Sequence, residues 1–473
     1  MESLLITPTY FTVSPYRGSS LSITLLTMFT RSLICQTAAV TRRVCFRRGI
    51  TSKSTPFELE PKTKGEDPYA DVNSFYSDMF TESPRDTSSG TTPSEVDEIS
   101  ELNQEMADFY GVDNLADPIP TSHDALNQDQ MPTPQSTVKP DLLATIQANK
   151  PAIFLSSFHN PFKNLALEDY IFTHTPVSST FLAHRLIFYV NSPCVVIGKN
   201  QNPWKEANIP LLKSLQIPLL RRRSGGGTVV HDLRNVNYSY ITTRPDFNRS
   251  FFGKVIVDAI NNANLGVELD QNDRGDIITK LERKKVSGSA FKISKGKSYH
   301  HGTMLLDSKL DILRSLLNTK DRDQNVEFRC GSVDSVPSPV TNVGLDNESF
   351  MEVVADGFFE LYGEDVQVVS VEETDLPQQV LDTADELEQW DWRYGNTPKF
   401  EMDITHPEFK ITLKVEKGLV KSFTVDQHAD KFVYLQQVLE SGEKVRFIGS
   451  DISGYILDES YGEFIGKHID GTD

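Results

Sequence analysis

Cysteine is scarce in this sequence: four in 473 residues, Cys35, Cys45, Cys194 and Cys330, with no CxxC pair. That excludes a disulfide framework and a zinc site built on paired cysteines, and it fits a reducing interior compartment. Long hydrophobic runs are missing too. The apolar stretch at 21–30 falls well short of the roughly 20 residues a membrane helix needs, and Pro8, Pro15 and Arg17 interrupt what precedes it. No membrane span is expected. Hydrophobic residues make up 38% of the chain and mean hydropathy is −0.35, which is little apolar surface for the whole length to pack. Positive charge is also in deficit. The formal net charge of −19 argues against a general nucleic-acid binder, which would be basic overall.

The deficits are local. Residues 1–57 contain a single acid, Glu2, against Arg17, Arg31, Arg42, Arg43, Arg47, Arg48 and Lys53, among many Ser, Thr and Leu. Basic, Ser-rich and acid-poor composition is that of an organellar transit peptide, and the part from Met28 would serve as one alone, so Met28 offers a second start. Residues 58–148 reverse the sign, with Glu58, Glu60, Glu66, Asp67, Asp71, Asp78, Glu95, Asp97, Glu98 and Glu101 among Pro, Ser, Thr and Gln. With so little to bury, this segment is expected to be a disordered acidic linker. It also holds much of the net negative charge.

Packed structure is expected from Pro151 onward, with a catalytic domain over 149–375 and a small accessory domain over 385–473. Residues 152–157, 186–190 and 194–198 read as strands, 162–173 and 253–263 as helices, and 237–242 as a half-buried strand. In the second helix Val255, Ile256, Ala259 and Ile260 form the inner face. Residues 350–362 read as another helix, 377–389 as an acidic connector, and 401–459 as alternating strands of an α+β unit.

Two stretches carry chemistry. In the first, Arg221, Arg222 and Arg223 run through Ser224 into Gly225, Gly226 and Gly227, then Thr228, Val229, Val230, His231 and Asp232. Consecutive glycines allow positive φ and close approach of backbone to a ligand, and a turn so built can aim several N–H groups at an anion. Arginine forks suit phosphate and carboxylate oxygens. The second stretch is KKVSGSAFK at 284–292, followed by HHGTML at 300–305; the two runs read as a hairpin across a Lys-rich turn at 294–298. Small residues at Ser287, Gly288, Ser289 and Ala290 let a ligand sit against the backbone, and Lys285 can project into the cavity beside it. Arg221, Arg222, Arg223, Lys284, Lys285, Lys292, Lys295 and Lys297 together predict a basic rim on an acidic molecule. His231 reads as a brace for the glycine loop. His300 and His301 look like a metal pair, but neighbours on a strand face opposite ways, so structural roles are expected. Cys330 has no evident activating partner. Trp390 and Trp392 read as packing residues at a domain junction.

With both stretches in view the chain resembles the lipoate–protein ligase A family, whose catalytic fold is shared with biotin protein ligases. The resemblance rests on NLALEDYIF, CVVIGKNQNPWKEAN, RRRSGGGTVVHDLRNVNYSYI, KKVSGSAFK with HHGTML, SVPSPVTNV and WDWRYGNTPKF, in that order. The GRGR-type loop of biotin ligases is absent. The fold implied is α+β, a biotin/lipoate ligase-like catalytic domain with a small C-terminal α+β domain and a disordered N-terminal extension.

The resemblance implies that the glycine loop and the lysine strand enclose lipoyl-AMP. Arg222 and the backbone of Gly227, Thr228, Val229 and Val230 would hold ATP or its adenylate. Lys285 matches the lysine that contacts the lipoate carboxyl and the α-phosphate. Ser224, Gly225, Gly226, His231, Asp232, Ser287, Gly288, Ala290, His301 and Gly302 complete the implied binding set. Magnesium would accompany ATP, with Asp276 or Asp273 orienting metal and lysine; Asp276 is preferred because a strand-like run follows it. The activity implied is ATP-dependent formation of lipoyl-AMP, then transfer to a lysine of lipoyl domains in 2-oxoacid dehydrogenase acyltransferase subunits and the glycine cleavage H protein. A monomer in the mitochondrial matrix is expected. Carrier-to-carrier transfer of lipoate or octanoate without ATP, and a non-catalytic acyl- or nucleotide-binding regulator, are the alternatives. Two departures bear on the ATP step: Arg234 stands where the family usually has Gly, and Pro337 and Pro339 replace basic residues common in bacterial members.

Overall fold

A computed structural model describes residues 141–178, 184–317 and 324–472. The expected transit peptide, and the acidic linker up to residue 140, lie outside the described residues. In chain order the elements are α1 (Leu142–Gln147), β1 (Ala152–Ser156), α2 (Pro161–His174), β2 (Arg185–Val190), β3 (Cys194–Ile197), α3 (Pro203–Glu206), α4 (Ile209–Ser214), β4 (Leu219–Arg221), β5 (Val229–His231) and β6 (Asn235–Thr243). Then follow α5 (Phe251–Ala263), β7 (Leu269–Gln271), β8 (Ile277–Thr279), β9 (Ser289–Ser294), β10 (Lys297–Leu305), α6 (Leu310–Leu317), β11 (Val326–Cys330), α7 (Asn347–Tyr362), β12 (Gln367–Val371) and α8 (Gln378–Glu388). The chain ends through α9 (Trp390–Arg393), β13 (Phe400–Thr405), β14 (Lys410–Glu416), β15 (Leu419–Val425), α10 (Val433–Glu440), α11 (Gly449–Ser453) and α12 (Glu459–Asp470).

The main sheet runs β12-β1-β2-β6-β10-β9, with β1 parallel to both neighbours and the rest antiparallel. Helices cover both faces. Phe162, Leu165 and Ile171 of α2 pack on one side with Val380, Ala384 and Leu387 of α8; Phe252, Ile256 and Ile260 of α5 pack on the other with Phe350, Val354 and Phe358 of α7. β6 is therefore buried on both faces rather than half-buried as its alternation suggests: eight of its nine residues are buried, polar Asn237 and Ser239 facing one side and Tyr238 and Tyr240 the other. On α5 the inner face includes Phe252 and Val257, while Val255 and Ala259 sit at its margin.

Two further expectations change. Residues 141–147, assigned to the linker, include a helix whose Leu142 and Ile146 are buried. Arg185, fully buried in β2, holds its end by donating to the carbonyls of Ile146, Ala148 and Lys150 at 2.7–2.8 Å. The acidic connector at 377–389 is also a helix: Val380, Ala384 and Leu387 recur at helical spacing and bury against α2, while the acids point outward.

A small sheet, β4-β3-β5, lies between the main sheet and the C-terminal one, β11-β13-β14-β15. Its Ile197 joins Trp204, Leu212, Met402, Ile411 and Phe447 in a single core. Strand β11 pairs with β13 although 69 residues and more separate them, so the C-terminal sheet recruits a strand from within 149–375. Arg221 ties the two regions: it is fully buried and donates to the carbonyls of Lys199, Gln201 and Arg393 and to Thr397 Oγ1 at 2.8–2.9 Å. Trp392 Nε1 returns a bond to Arg221 O at 2.7 Å. None of the described helices is long and apolar enough to cross a membrane.

Candidate active site

The glycine loop links β4 to β5, which flank β3 on opposite sides, so residues 224–228 must cross the end of β3. That crossing is tight. A Cβ on Gly198 would run into the carbonyl of Gly226, and Gly226 itself has φ +87°. Arg222 folds back beneath the loop, donating from Nη2 to the carbonyls of Gly225 and Gly227 at 2.7 and 2.6 Å, and from Nη1 to Val196 O at 3.1 Å. With those carbonyls turned to the guanidinium, the amides of Gly225, Gly226 and Gly227 have no protein acceptor among the described residues. A short run of unsatisfied donors is what an anion-binding nest consists of.

Opposite lies the lysine segment. A Cβ on Gly226 would sit 3.3 Å from Ala290 Cβ, and one on Gly288 3.1 Å from Val229 Cγ1, so glycine loop and lysine segment touch. Gly302 is there for Tyr238: any Cβ at 302 would strike the Tyr238 ring, whose hydroxyl reaches Ser287 Oγ at 3.2 Å. The hairpin proper starts at Ser289; residues 285–288 leave it to bond with Ile277 and Pro339, which fixes the Lys285 backbone from two sides. Lys285 Nζ lies 2.8 Å from Asp276 Oδ1.

Between the two stretches is an open cleft, about 1090 Å³ of empty space when the solvent at its mouth is included. Arg222, Gly226, Gly227, Thr228, Val229, His231, Asp276, Lys285, Gly288, Ala290, His301 and Gly302 all line it. Ser224, Gly225, Val230, Asp232 and Ser287 do not. Alternation along β5 turns Val229 and His231 into the cleft and Val230 away into the other core, while Asp232 accepts from Arg234 N and Ser308 Oγ at 2.9 Å. Arg234 takes this turn without positive φ, so the glycine usual in the family is not required here. The amide of Thr228 is taken by Ser335 Oγ at 2.8 Å, part of a strap at 334–338 that crosses the cleft and is pinned by Gln201 and Glu206. Its lining includes apolar Leu165 and Val196 with Tyr189, and charged Arg249, Arg274, Asp276 and Lys285.

Of the eight residues expected to form a basic rim, only Arg222 and Lys285 line the cleft. Arg221 is buried at the junction, Arg222 braces the loop, and Arg223 pairs with Asp169 and Glu386. Lys292 pairs with Asp169, Lys284 with Glu282, and Lys297, buried and pushed down to about 8 by desolvation, caps α2 through the carbonyls of Thr173 and Thr175. Their adjacency in sequence hid that strand alternation and neighbouring acids disperse these charges.

The NLALEDYIF helix supplies what the sequence reading passed over. Asn164 and Glu168, four apart on one face of α2, are both buried. Glu168 Oε1 accepts from His301 Nδ1 at 2.8 Å, His301 Nε2 accepts from Ser224 Oγ at 2.8 Å, and Ser224 Oγ accepts from Arg222 Nε at 3.0 Å. Asn164 Nδ2 donates to Asn191 Oδ1 at 2.8 Å, turning the Asn191 amide onto His231 Nδ1 at 2.9 Å. His231 thus keeps its proton on Nε2, and burial beside Arg222 and His301 pushes it down to about 3, so it is no base near neutrality. Two polar residues at i and i+4 on the same face as Leu165, Leu167 and Ile171 were the available signal. His300 points the other way and packs on Phe291 and Tyr238. Cys330 lies outside the cleft, its Sγ accepting from Ser332 N at 3.3 Å. The described residues contain no cluster of three or more metal-ligating side chains, so Asp276, already bonded to Lys285 and Asn272, would be at most one ligand of a magnesium held mainly by phosphate and water.

Sheet, glycine loop and cleft belong to one α+β catalytic domain. The family described as lipoyl protein ligase A/B catalytic domain matches residues 160–359. A candidate lipoate-protein ligase A of Saccharomyces cerevisiae (strain RM11-1a) is 37% identical over 371 residues, 75% of this chain and 85% of that protein. One from Schizosaccharomyces pombe is 36% identical over 279 residues, 54% of this chain and 74% of that protein. Among solved structures, Plasmodium falciparum LipL1 in complex with lipoate aligns at a TM-score of 0.45 and 24% identity, covering 67% of this chain and 98% of that one. The chain belongs to the lipoate-protein ligase A family and is an enzyme of lipoate attachment.

Proposed function

We propose that this enzyme activates lipoate with ATP and passes the lipoyl group from lipoyl-AMP to a lysine of acceptor lipoyl domains. The observation that supports it is that Lys285 and the unsatisfied amides of Gly226 and Gly227 face one cleft, next to an apolar slot at Leu165, Tyr189 and Val196. The dithiolane and its chain fill the slot, leaving the carboxylate at Lys285. A carboxylate oxygen attacks the α-phosphorus, the bond to the bridging oxygen of the β-phosphate breaks, and pyrophosphate leaves. Lys285 and the loop amides offset the charge gathered on the α-phosphoryl oxygens. The acceptor lysine amine then attacks the acyl carbon, AMP departs, and the amine proton is lost to solvent; positioning and electrostatics suffice, with no acyl-enzyme. Magnesium supplies further phosphate neutralisation when ATP is bound.

Acyltransferase subunits of 2-oxoacid dehydrogenases and the glycine cleavage H protein are the acceptors in this reading, and a monomer in the mitochondrial matrix is its setting. The test is direct: the purified chain is given lipoate, ATP and magnesium, and lipoyl-AMP and pyrophosphate are measured. Acyl transfer from a preloaded carrier alone, without adenylate formation, would replace this reading with the ATP-independent transferase. That second reading is favoured by the strap, where Pro337 and Pro339 leave no cation.

A further inference from the structure

The strap at 334–338 is stretched between two fixed points. At the first, the turn and helix α3 that follow β3 grip it residue after residue. Asn200 O accepts from Val333 N at 3.2 Å, Lys205 Nζ pairs with Asp334 at 2.6 Å, and Glu206 Oε2 accepts from Ser335 N at 3.1 Å. Gln201, fully buried, adds a bond from Nε2 to Ser335 Oγ at 3.0 Å. At the second, the chain runs alongside Lys285: Pro339 O accepts from Lys285 N at 2.9 Å, and Thr341 N donates to Lys285 O at 3.0 Å. Between these points residues 336–338 have no hydrogen bond among the described residues, and Pro337 and Pro339 stiffen the stretch by fixing φ.

Gln201 also holds the glycine loop. Its Oε1 accepts from Gly198 N at 2.8 Å and from Thr228 Oγ1 at 3.0 Å, while Ser335 Oγ takes the Thr228 amide at 2.8 Å. Ser335 fits closely against the loop, since a Cβ on Gly227 would lie 3.2 Å from its Oγ. Glu206 is buried as well. Burial pushes its carboxyl up, and hydrogen bonds from the side chain and backbone of Ser335 oppose that shift. The pair of Lys205 with Asp334 is solvent-exposed and contributes little, so the buried amide and carboxylate carry the grip. One short segment, 198–206, thus joins loop to strap, and the strap joins Lys285. Both walls of the cleft take their position from the same place.

We propose that Gln201 and Glu206 are positioning residues: they grip Ser335 and so hold the strap as a tie of fixed length that sets Lys285 opposite the glycine loop. This rests on the adenylation reading given above for the task it assigns to Lys285. A cation aimed at developing charge works only from the right place, and a shift of about 1 Å costs up to ~10²-fold in rate. Neither Gln201 nor Glu206 lines the cleft, so both act through Ser335 and the Lys285 backbone and not on the substrates. The two prolines keep the unbonded part of the tie from going slack.

The experiment uses the full chain with Glu206→Ala, Glu206→Gln and Ser335→Ala, each alone and combined with Lys285→Ala. Amide hydrogen exchange, followed by mass spectrometry, needs no chemistry from the enzyme. Glu206→Ala should speed exchange at 284–288 as well as at 225–228, and Glu206→Gln, whose amide oxygen still accepts from Ser335 N, should stay nearer the wild type. In lipoyl-AMP formation Glu206→Ala should lower kcat about tenfold with KM little changed, as expected of a displaced cation. The same substitution should cost nothing further once Lys285 is Ala, because the two act as one unit. Should Glu206→Ala not fold, Ser335→Ala cuts the tie from the strap side and carries the same test. Exchange at 284–288 that neither substitution moves overturns the proposal. So does an equal loss of rate in the Lys285→Ala background, since the grip would then serve the fold at large. A wild type that makes no lipoyl-AMP, while Glu206→Ala still loosens 284–288, leaves the tie standing and sinks the adenylation reading instead.

Discussion

Glu168 Oε1 lies 2.8 Å from His301 Nδ1, two buried groups 133 residues apart in sequence that meet under the glycine loop. Through Ser224 the contact reaches Arg222, which holds the loop carbonyls. The loop's exposed amides thus depend on a helix at the start of the domain. Replacing Glu168 by Ala leaves buried donors unsatisfied and should destabilise the protein by about 1–3 kcal/mol, read as a fall in denaturation midpoint. Glu168→Gln should keep more of the stability, yet still raise KM for ATP by loosening the loop. An unchanged KM in a folded Glu168→Gln protein would mean that the buried chain serves stability only.

Lys285→Ala removes the cation facing the reacting carboxyl. Lipoyl-AMP formation should drop by about 10²–10³, the range for losing one electrostatic contact to a transition state. Lys285 is a quarter exposed and its removal leaves Asp276 without its cation, so a stability loss of about 1 kcal/mol is expected beside the much larger loss of rate. Asp276→Asn should give a smaller loss of rate. Retention of full activity by Lys285→Ala would remove the mechanism.

Two glycines of the same region should behave oppositely. A Cβ on Gly198 meets the backbone of Gly226, whereas one on Gly225 finds nothing within 4 Å. Gly198→Ala should cost about 1–3 kcal/mol through overpacking, and Gly225→Ala less than about 0.5 kcal/mol. Urea denaturation of the pair checks this, and equal losses would mean that the loop can shift away from β3.

Acid should destabilise the fold through two buried histidines. His231 and His300 are each pushed down to about 3 by desolvation, with nearby cations adding to it. Unfolded, they titrate near ~6.5. Between those values the unfolded chain binds protons the native one does not, so stability falls as pH drops, by about 1.4 kcal/mol per pH unit for each group at most. Above about pH 7 both states are neutral there and the contribution is flat. His300 has no hydrogen-bond partner for either ring nitrogen among the described residues, so His300→Phe should lower the slope by about one proton. Stability measured at pH 7, 6 and 5 with and without the substitution decides it.

Sequence alone determined the family, the glycine loop and the lysine opposite it, because the conformational freedom of glycine and the charge of lysine are local properties. It also determined most strands and helices, whose apolar spacing is written along the chain. Only the tertiary structure decided which residues of each motif face the cleft, since β5 alternation sends Val229 inward and Val230 into another core. The same applies to the arginines and lysines read as a rim: Arg221, Arg223, Lys292 and Lys297 are consumed by carbonyls and acids distant in sequence. Buried polar contacts between Glu168 and His301, or Asn164 and Asn191, leave no periodic trace, because they depend on which strands become neighbours. Where a charge ends up is a property of packing, and packing is long-range.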